Sequence, residues 1–468
     1  MNITFDIAGR KAQIQCENEH IFNLIRQEFS IPNEAKKFAR TPAQQRFIQS
    51  RIYAITPTGL FDIGMYNEIK QFIVQNQLGL IKETPLFIEQ LLPTINDKLY
   101  TKLSLQLYDY QRFAAEKCLQ NGRGVCLYAT GAGKTLIIAS ILSSLYKNSK
   151  CLVVVPDIGL VEQTFKDFSS YNVPFTFCKW SGSNELDAGA EVIIANQDIL
   201  INRFEKNQWI KNVRCVVVDE VHTLKRGNKI TNLISKIKTN NKFGFTGTLP
   251  TNNIDKWAAL GLIGPIIAEK NSYELRQEGY LTNVECRVAT IKYKNKRDMK
   301  YRDELDFIYN NEFRNYIIAS IAQKLKHNVL ILVNHIKHGE NLFDKINQTQ
   351  HKKQVFFIRG SVDVEDRERI KSIMENSNDV ICIAMSSIFS VGINVKNINS
   401  IIFGAGGKSF VRLVQSIGRG LRKHKNKEEL VLFDICDSLK YSSSHFQKRN
   451  EIYIQERIKT STINFLEK

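Results

Sequence analysis

The sequence lacks any apolar run close to the roughly 20 residues that a transmembrane helix needs. Its first residues, Met1 to Asp6, lack the basic start and long apolar stretch of a signal peptide. We therefore expect a cytoplasmic protein with no membrane partner. A disordered chain is also excluded, because 43% hydrophobic and 10% aromatic residues supply enough apolar surface for packed cores.

The sequence also lacks any Cys-x-x-Cys pair. Its nine cysteines are odd in number and scattered, and most stand inside apolar runs. This pattern predicts reduced, buried thiols and argues against a zinc module or a disulfide framework. The cysteines are Cys16, Cys118, Cys126, Cys151, Cys178, Cys215, Cys286, Cys382 and Cys436.

Acidic residues are in short supply, with 47 Asp and Glu against 65 Lys and Arg, which leaves a net charge of +18. Such an excess in a folded chain favours a polyanionic partner, although a merely solubilising charge remains an alternative. The excess grows along the chain, with net charges of +1 for residues 1–100, +6 for 101–280 and +11 for 281–468.

The length of 468 residues suggests about three domains. Residues 1–95 predict a small α+β domain, with a hairpin over Asn2–Cys16, a strand over Arg51–Ile55 and helices over His20–Phe29 and Tyr66–Gln75. No catalytic constellation is visible in it. We expect an accessory role such as binding a partner or positioning a substrate.

From about residue 105, short apolar strands alternate with helices, a pattern that predicts parallel, doubly wound sheets. The fold class is therefore α/β, with sheet domains over 96–282 and 283–468 and a joint near 281–290. Predicted strands are 124–128, 151–155, 192–195 and 215–218, then 329–333, 355–358, 380–384, 400–403 and 430–433; predicted helices are 136–146, 160–168, 338–346, 367–374, 411–417 and 451–458.

A phosphate-binding loop is predicted at the first strand–helix junction, at Thr130-Gly131-Ala132-Gly133-Lys134-Thr135. Glycines let backbone N–H groups approach phosphate oxygens, Lys134 can reach the β and γ phosphates, and the Thr135 hydroxyl can bind Mg²⁺. The first glycine of the general pattern is replaced by Tyr128.

An acidic pair follows the apolar strand Cys215–Val218. In a nucleotide site, Asp219 would hold the Mg²⁺ shell, and Glu220 would orient and deprotonate the attacking water. Without the phosphate loop, two solvated acids at a strand end would be the better interpretation.

The second sheet domain carries Arg419 and Arg422, three residues apart on what we expect to be one helix face. A guanidinium group can stabilise the charge that develops on a transferring phosphoryl group. Alone, such a basic cluster is more often a solvated face.

Taken together, these motifs resemble those of the superfamily 2 helicases and translocases, over residues 105–440 and in the same order. The resemblance implies two RecA-like lobes that bind ATP and Mg²⁺ between them. It implies catalytic roles for Lys134, Asp219, Glu220, Arg419 and Arg422; ATP contacts at Gln111, Thr130, Gly131, Ala132, Gly133, Lys134, Thr135, Gly392 and Asn394; coupling at His222, Thr246, Thr248 and Gln415; and DNA contacts at Pro156, Gln197, Gly360 and Ser386.

Three positions depart from the family pattern: Tyr128, Gly247 and Asn394. Tyr128 should alter packing more than phosphate contact. Gly247 makes the coupling triplet Thr-Gly-Thr more flexible while both hydroxyls survive. Asn394 stands where many members have aspartate, so its expected ribose contact is less secure.

Within the superfamily, the sequence resembles phage-type recombination and branch-migration helicases. It is carried by the N-terminal domain, by Gly392–Asn397 and by Gly418–His424. It implies a monomer in the host cytoplasm that remodels forked DNA, Holliday junctions and R-loops, with DNA contacted by residues 36–40, Arg46 and Arg51. The alternatives are an RNA helicase, the motor of a restriction enzyme and a non-catalytic nucleic-acid-binding or annealing protein on a vestigial motor fold.

Overall fold

The computed structural model describes the whole chain except residues 39–40, 42–45, 47, 92–97, 101, 148, 183–185, 251, 295–298, 360–363, 387–394, 405–428 and 468, and except the side chains of 37, 38 and 364–368. Two compact units emerge from the chain contacts: Met1–Tyr128 with Gly133–Glu269, and Ala129–Ala132 with Lys270–Lys468.

The accessory domain is built on a four-stranded sheet of order β5-β2-β1-β6. The predicted hairpin is confirmed, because β1 and β2 pair antiparallel from Ile3 with Cys16 to Ala8 with Lys11. The elements are β1 (Asn2–Ala8), β2 (Lys11–Cys16), α1 (Glu19–Glu28), β3 (Ser30–Pro32), β4 (Arg51–Tyr53), β5 (Leu60–Phe61), α2 (Tyr66–Gln75), β6 (Leu80–Glu83) and α3 (Pro85–Leu91).

Part of the predicted DNA patch in this domain has a structural role. The Arg51 guanidinium donates hydrogen bonds to the hydroxyl and carbonyl oxygens of Ser30, at 2.8 and 3.1 Å, and so joins β4 to β3. Lys36 and Arg46 are exposed, whereas residues 39–40 and the side chains of 37 and 38 lie outside the description.

The first lobe is a seven-stranded sheet of order β13-β7-β12-β11-β8-β10-β9. Parallel pairing aligns the carboxyl ends of β7, β8, β10, β11 and β12 at one edge. The elements are α4 (Asp109–Asn121), β7 (Arg123–Tyr128), α5 (Lys134–Leu145), β8 (Cys151–Val155), α6 (Ile158–Tyr171), β9 (Phe177–Trp180), β10 (Val192–Asn196), α7 (Gln197–Arg203), β11 (Cys215–Asp219), α8 (Lys229–Ser235), β12 (Lys242–Thr246), α9 (Asn253–Ile263) and β13 (Ile266–Lys270).

The second lobe is also a seven-stranded sheet, of order β16-β17-β15-β18-β19-β14-β20. The elements are α10 (Ser272–Gln277), β14 (Asn283–Lys292), α11 (Tyr301–Asn310), α12 (Glu312–Lys324), β15 (Val329–Val333), α13 (Ile336–Asn347), β16 (Gln354–Ile358), α14 (Val364–Asn376), β17 (Val380–Met385), β18 (Ser400–Phe403), β19 (Glu429–Asp437), α15 (Lys440–Gln455) and β20 (Lys459–Leu466). The predicted helix over 411–417 lies outside the described residues.

Two details of the second lobe differ from the sequence-based expectation. The joint expected near 281–290 is mostly the strand β14, whose Val284, Cys286 and Val288 are buried and which pairs with β19. The tail forms a longer, earlier helix than 451–458, namely α15, followed by the strand β20, which adds to β14.

The accessory domain shares its core with the first lobe. Ile254 and Trp257 of α9 are buried in the same cluster as Phe29, and the rings of Phe29 and Trp257 lie 5.7 Å apart. All nine cysteines are free thiols, and all but Cys16 are buried. No helix among the described residues is long and apolar enough to span a membrane.

Candidate ATP site and coupling network

The phosphate loop joins the buried strand β7 to the N-terminus of α5. Gly131 has φ of +90° and Gly133 has φ of +75°, conformations that favour glycine. Gly133 is the N-cap of α5, so the free N–H groups and positive dipole end of that helix face the loop. The local sequence therefore builds a turn of the kind that can hold an anion, at the position where the phosphate loop is predicted.

Gln111, the predicted adenine reader, is buried against this loop. A β-carbon added to Gly133 would lie 2.4 Å from Nε2 of Gln111. The other end of the amide is also held, because Oε1 accepts a hydrogen bond from the N–H of Tyr108 at 2.9 Å. Gly133 is thus required both by its backbone angle and by the close approach of Gln111.

The structure explains the unusual Tyr128. Its side chain is buried, and its hydroxyl donates to the carbonyl oxygen of Tyr110 at 2.8 Å, which ties β7 to the start of α4. The backbone carbonyl of Tyr128 accepts a hydrogen bond from Nζ of Lys134 at 3.3 Å. The aromatic ring therefore packs against Tyr110, while the Tyr128 main chain contacts Lys134.

The acidic pair stands at the end of β11, on the same sheet edge as the end of β7. Burial raises the pKa of Asp219 to about 6; the neighbouring Glu220 carboxylate adds to this rise, and Lys134 opposes it. Glu220 adopts a left-handed conformation with φ of +54°, which costs a non-glycine residue about 1–2 kcal/mol. Strain at a residue of this kind is typical of a functional position.

The coupling triplet contacts the acidic turn directly. The Thr246 hydroxyl donates to the carbonyl oxygen of Thr248 at 2.8 Å, and it lies 3.0 Å from Nδ1 of His222 and 3.4 Å from Oε2 of Glu220. His222 Nδ1 is 3.2 Å from the same Glu220 oxygen, so a proton on Nδ1 satisfies that carboxylate. The orientation of Glu220 is therefore linked to the triplet.

The predicted DNA-contacting residues of the first lobe lie at this sheet edge. Pro156 follows β8, and Gln197 begins α7 directly after β10. The Gln197 side-chain amide donates to the hydroxyl of Thr223 at 2.7 Å. Thr223 is the residue after His222, so a hydrogen bond connects the Gln197 motif to the acidic turn.

In the second lobe, Ser386 is buried at the end of β17. Its hydroxyl donates to the carbonyl oxygen of Val333 at 2.9 Å and also contacts the Asn334 side chain. This places Ser386 against β15 rather than at the surface, and its predicted DNA contact stays a prediction. Six predicted residues lie outside the described residues: Gly360, Gly392, Asn394, Gln415, Arg419 and Arg422.

Sequence reasoning missed several residues that position the site. Thr223 and Asn334 were not singled out from the sequence. Thr223 directly follows His222, and Asn334 directly follows the last residue of β15. Arg314 is fully buried in α12, where it bonds Asp437 at 2.9 Å and the carbonyl oxygen of Gly404 at 3.1 Å. Gly404 immediately precedes the segment that carries the predicted arginines, so Arg314 fixes the point where that segment starts.

Two family models match the chain. Residues 104–251 match "Type III restriction enzyme, res subunit", and residues 311–424 match "Helicase conserved C-terminal domain". These matches define the class of protein. They occur in this order on two parallel-sheet lobes, and the first lobe carries the predicted phosphate loop, the acidic pair and the coupling triplet. The chain belongs to the superfamily 2 helicases, ATP-hydrolysing motors that bind nucleic acid.

Among individual proteins, the chain is similar to the ATP-dependent DNA helicase uvsW of Enterobacteria phage T4, with 28% identity over 93% of this chain and 91% of that protein. Two solved structures share the fold. One is the ATP-dependent Type ISP restriction-modification enzyme LlaBIII bound to DNA, with TM-score 0.58 and 15% identity over 78% of this chain and 32% of that one. The other is S. cerevisiae Dbp5 bound to RNA and ADP BeF3, with TM-score 0.57 and 14% identity over 77% of this chain and 90% of that one.

Proposed function

We propose that this helicase acts on DNA, unwinding or branch-migrating forked, Holliday-junction or R-loop structures, including their RNA–DNA hybrids, and that it works as a monomer. The observation that carries the proposal is the alignment with the phage T4 protein, which spans both lobes and the accessory domain and whose name specifies a DNA helicase. The net charge of +18 supports a polyanionic partner.

The ATP site would be formed in the first lobe by the loop Thr130–Thr135 and by Gln111. The residues fit a Mg²⁺ ion, because Asp219 and Glu220 are adjacent carboxylates with a raised Asp219 pKa, and a divalent cation would relieve their repulsion. Thr135 and Asp219 would hold this ion, which would neutralise charge on the transferring phosphate. Lys134 would leave the Tyr128 carbonyl for the β and γ phosphates.

Glu220 would orient the attacking water and accept its proton. Because its carboxylate is held by His222 and lies close to Thr246, the same contacts would transmit the state of the nucleotide to the coupling triplet. The bond from Gln197 to Thr223 would extend this connection toward DNA. Arg419 and Arg422 would add positive charge at the transferring phosphate, with Gly392, Asn394 and Gln415 contributing nucleotide contacts and coupling.

The DNA contacts would be made chiefly to backbone phosphates, near Pro156, Gln197, Gly360 and Ser386. Affinity should then fall steeply with salt and depend little on base sequence. A sequence-specific complex that is insensitive to salt would contradict this mode of binding.

An RNA substrate is the second candidate, because Dbp5, whose solved structure has RNA bound, shares the fold as closely as the DNA-bound restriction-modification enzyme does. The test is to measure ATPase and strand displacement on matched forked DNA, Holliday junction, R-loop, duplex DNA and RNA duplex. We expect stimulation by the branched DNA substrates. Stimulation by RNA duplex alone would overturn the proposal.

A further inference from the structure

A cavity of about 440 Å³ lies between the accessory domain and the amino-terminal edge of the first lobe's sheet, within one compact unit. This volume is in the range of small-ligand sites. The accessory domain contributes the β1–β2 turn and Asp62, and the first lobe contributes the starts of β7 and β12 and the segment after α8. We call it the basic cavity.

Positive charge dominates the basic cavity, since one carboxylate and six basic side chains line it. These are Asp62, Arg10, Lys11, Arg123, Lys236, Lys238 and Lys242. Asp62 is paired with Lys11 at 3.3 Å, and Lys236 is paired with Glu205 at 3.0 Å. Among the residues that the structure describes, no carboxylate forms an ion pair with the other four cations.

Two of these four cations are direct neighbours. Lys242 and Arg123 are paired in register at the first positions of β12 and β7, and Lys242 is buried. Like charges directly opposite each other destabilise a sheet, and a buried ammonium group without a carboxylate is costly. The Asp62 carboxylate offsets only part of this cost, because it is paired with Lys11 and the Lys242 pKa is still lowered. A further anion in the cavity would therefore stabilise the arrangement.

Peptide carbonyls satisfy only part of this pair's hydrogen-bonding capacity. Arg123 donates to the carbonyl oxygens of Leu262 and Ile263, both at 3.0 Å, and Lys242 donates to that of Ile234 at 3.3 Å. A guanidinium group has five N–H donors and an ammonium group has three. Donors remain for a ligand, and the carbonyls add no full negative charge.

The basic cavity is separate from the ATP site. Arg123 begins β7, whereas Tyr128 ends it beside the phosphate loop. Five residues at about 3.3 Å each put the two ends roughly 16 Å apart. A ligand in the cavity would contact the opposite edge of the sheet from ATP.

We propose that the basic cavity binds a phosphate-bearing ligand. The same chemistry could come from a backbone phosphate of the nucleic acid or from a free polyphosphate. In both cases the ligand would bridge Arg10 on the accessory domain to Lys238 and the Arg123–Lys242 pair on the first lobe. Binding would then stabilise the packing of the accessory domain on the motor.

The test uses tripolyphosphate as the probe, titrated calorimetrically into the full chain carrying Lys134→Ala, which weakens binding at the phosphate loop. We expect one saturable site for tripolyphosphate. The double variant Arg10→Gln/Lys238→Gln should lower the affinity of this site for tripolyphosphate at least about tenfold, because two charge-assisted contacts are lost. The matched control is Lys82→Gln with Lys98→Gln, which removes the same charge from two exposed positions outside the cavity. In this control variant, the affinity for tripolyphosphate should change less than twofold.

The proposal is overturned if the Lys134→Ala chain shows no saturable binding, or if both double variants change the affinity equally. Lys242→Met gives an independent readout, since we expect weaker tripolyphosphate binding with no loss of thermal stability. A Lys242→Met protein that melts earlier but binds tripolyphosphate normally would assign Lys242 a purely structural role and contradict the proposal.

A competition experiment distinguishes the two sources of phosphate. If a 20-base-pair DNA duplex displaces tripolyphosphate, and Arg10→Gln with Lys238→Gln lowers the salt slope of DNA binding by about 2, the ligand is the DNA backbone. If the duplex does not compete and the slope is unchanged, the ligand is a free polyphosphate. ATPase activity without DNA should be unchanged in this double variant, which separates the result from failure of the motor itself.

Discussion

Lys242 should make the stability of the accessory domain and first lobe increase with pH between about 8 and 10.5. Burial lowers the Lys242 pKa from its usual 10.5 to about 8, with Arg123 and Arg10 adding to the decrease and Asp62 opposing it. A lysine with a lowered pKa binds fewer protons in the folded than in the unfolded protein across this window, so stability rises with pH there. Below about pH 8, Lys242 is protonated in both the folded and the unfolded protein, so the full free-energy cost of burying its charge is present.

The magnitude follows from the size of the shift. A change from 10.5 to about 8 corresponds to roughly 3 kcal/mol. Lys242→Met removes this cost but also the hydrogen bond to Ile234, worth about 1 kcal/mol. At pH 7 the variant should therefore be about 2 kcal/mol more stable than the parent. This advantage should fall to zero at about pH 9.5, and by about pH 10.5 the parent should be the more stable protein by about 1 kcal/mol.

The assay is urea unfolding at a series of pH values, followed by tryptophan fluorescence. All three tryptophans, Trp180, Trp209 and Trp257, lie in the same compact unit as Lys242, so the signal reports on that unit. Lys238→Met is the control, because this exposed lysine should change stability by less than about 0.5 kcal/mol. A stability difference between Lys242→Met and the parent that is constant from pH 7 to 10, or a less stable variant at pH 7, would refute the reasoning.

Three further predictions concern the motor. Thr246→Val removes the hydroxyl near Glu220 and His222 and should lower DNA-stimulated ATPase at least about tenfold while ATP affinity stays within twofold, measured by turnover and nucleotide titration. Gly133→Ala should lower the free energy of unfolding by about 1–2 kcal/mol, because Gly133 has a left-handed backbone, and should also weaken ATP binding. Adding Gln111→Ala should remove the part of the destabilisation that comes from the clash of the new β-carbon with Gln111. Arg422→Ala should lower ATPase about 10³-fold or more with nucleotide binding still measurable, whereas Lys423→Ala should not; unchanged turnover in Arg422→Ala would remove the arginine's role.

The strands that carry the chemistry could be predicted from sequence because they are continuous apolar runs ending in motif residues. Cys151–Val155 and Val329–Val333 were predicted to the residue, and the end of β11 correctly placed Asp219. Burial on both faces of a parallel sheet produces such runs. The strands β14 and β20 were missed because only part of each is buried, which leaves an alternating or exposed pattern.

The site contacts could be predicted less well, because they depend on side chains brought together from distant positions. The sequence identified Gln197 and Thr246 but could not indicate that one bonds Thr223 and the other lies beside Glu220. The left-handed backbone at Glu220 leaves no compositional signal. The pairing of Arg123 with Lys242 depends on strand register across 119 residues of chain, and neither residue belongs to a motif.

The central claim is that Glu220 converts bound ATP into work on DNA, and the most direct measurement compares the parent chain with Glu220→Gln on forked DNA. We predict that Glu220→Gln binds ATP as tightly as the parent, hydrolyses it at least about 10²-fold more slowly and separates no strands. Hydrolysis at the parent rate by Glu220→Gln, or strand separation by the parent protein without ATP, would contradict the account.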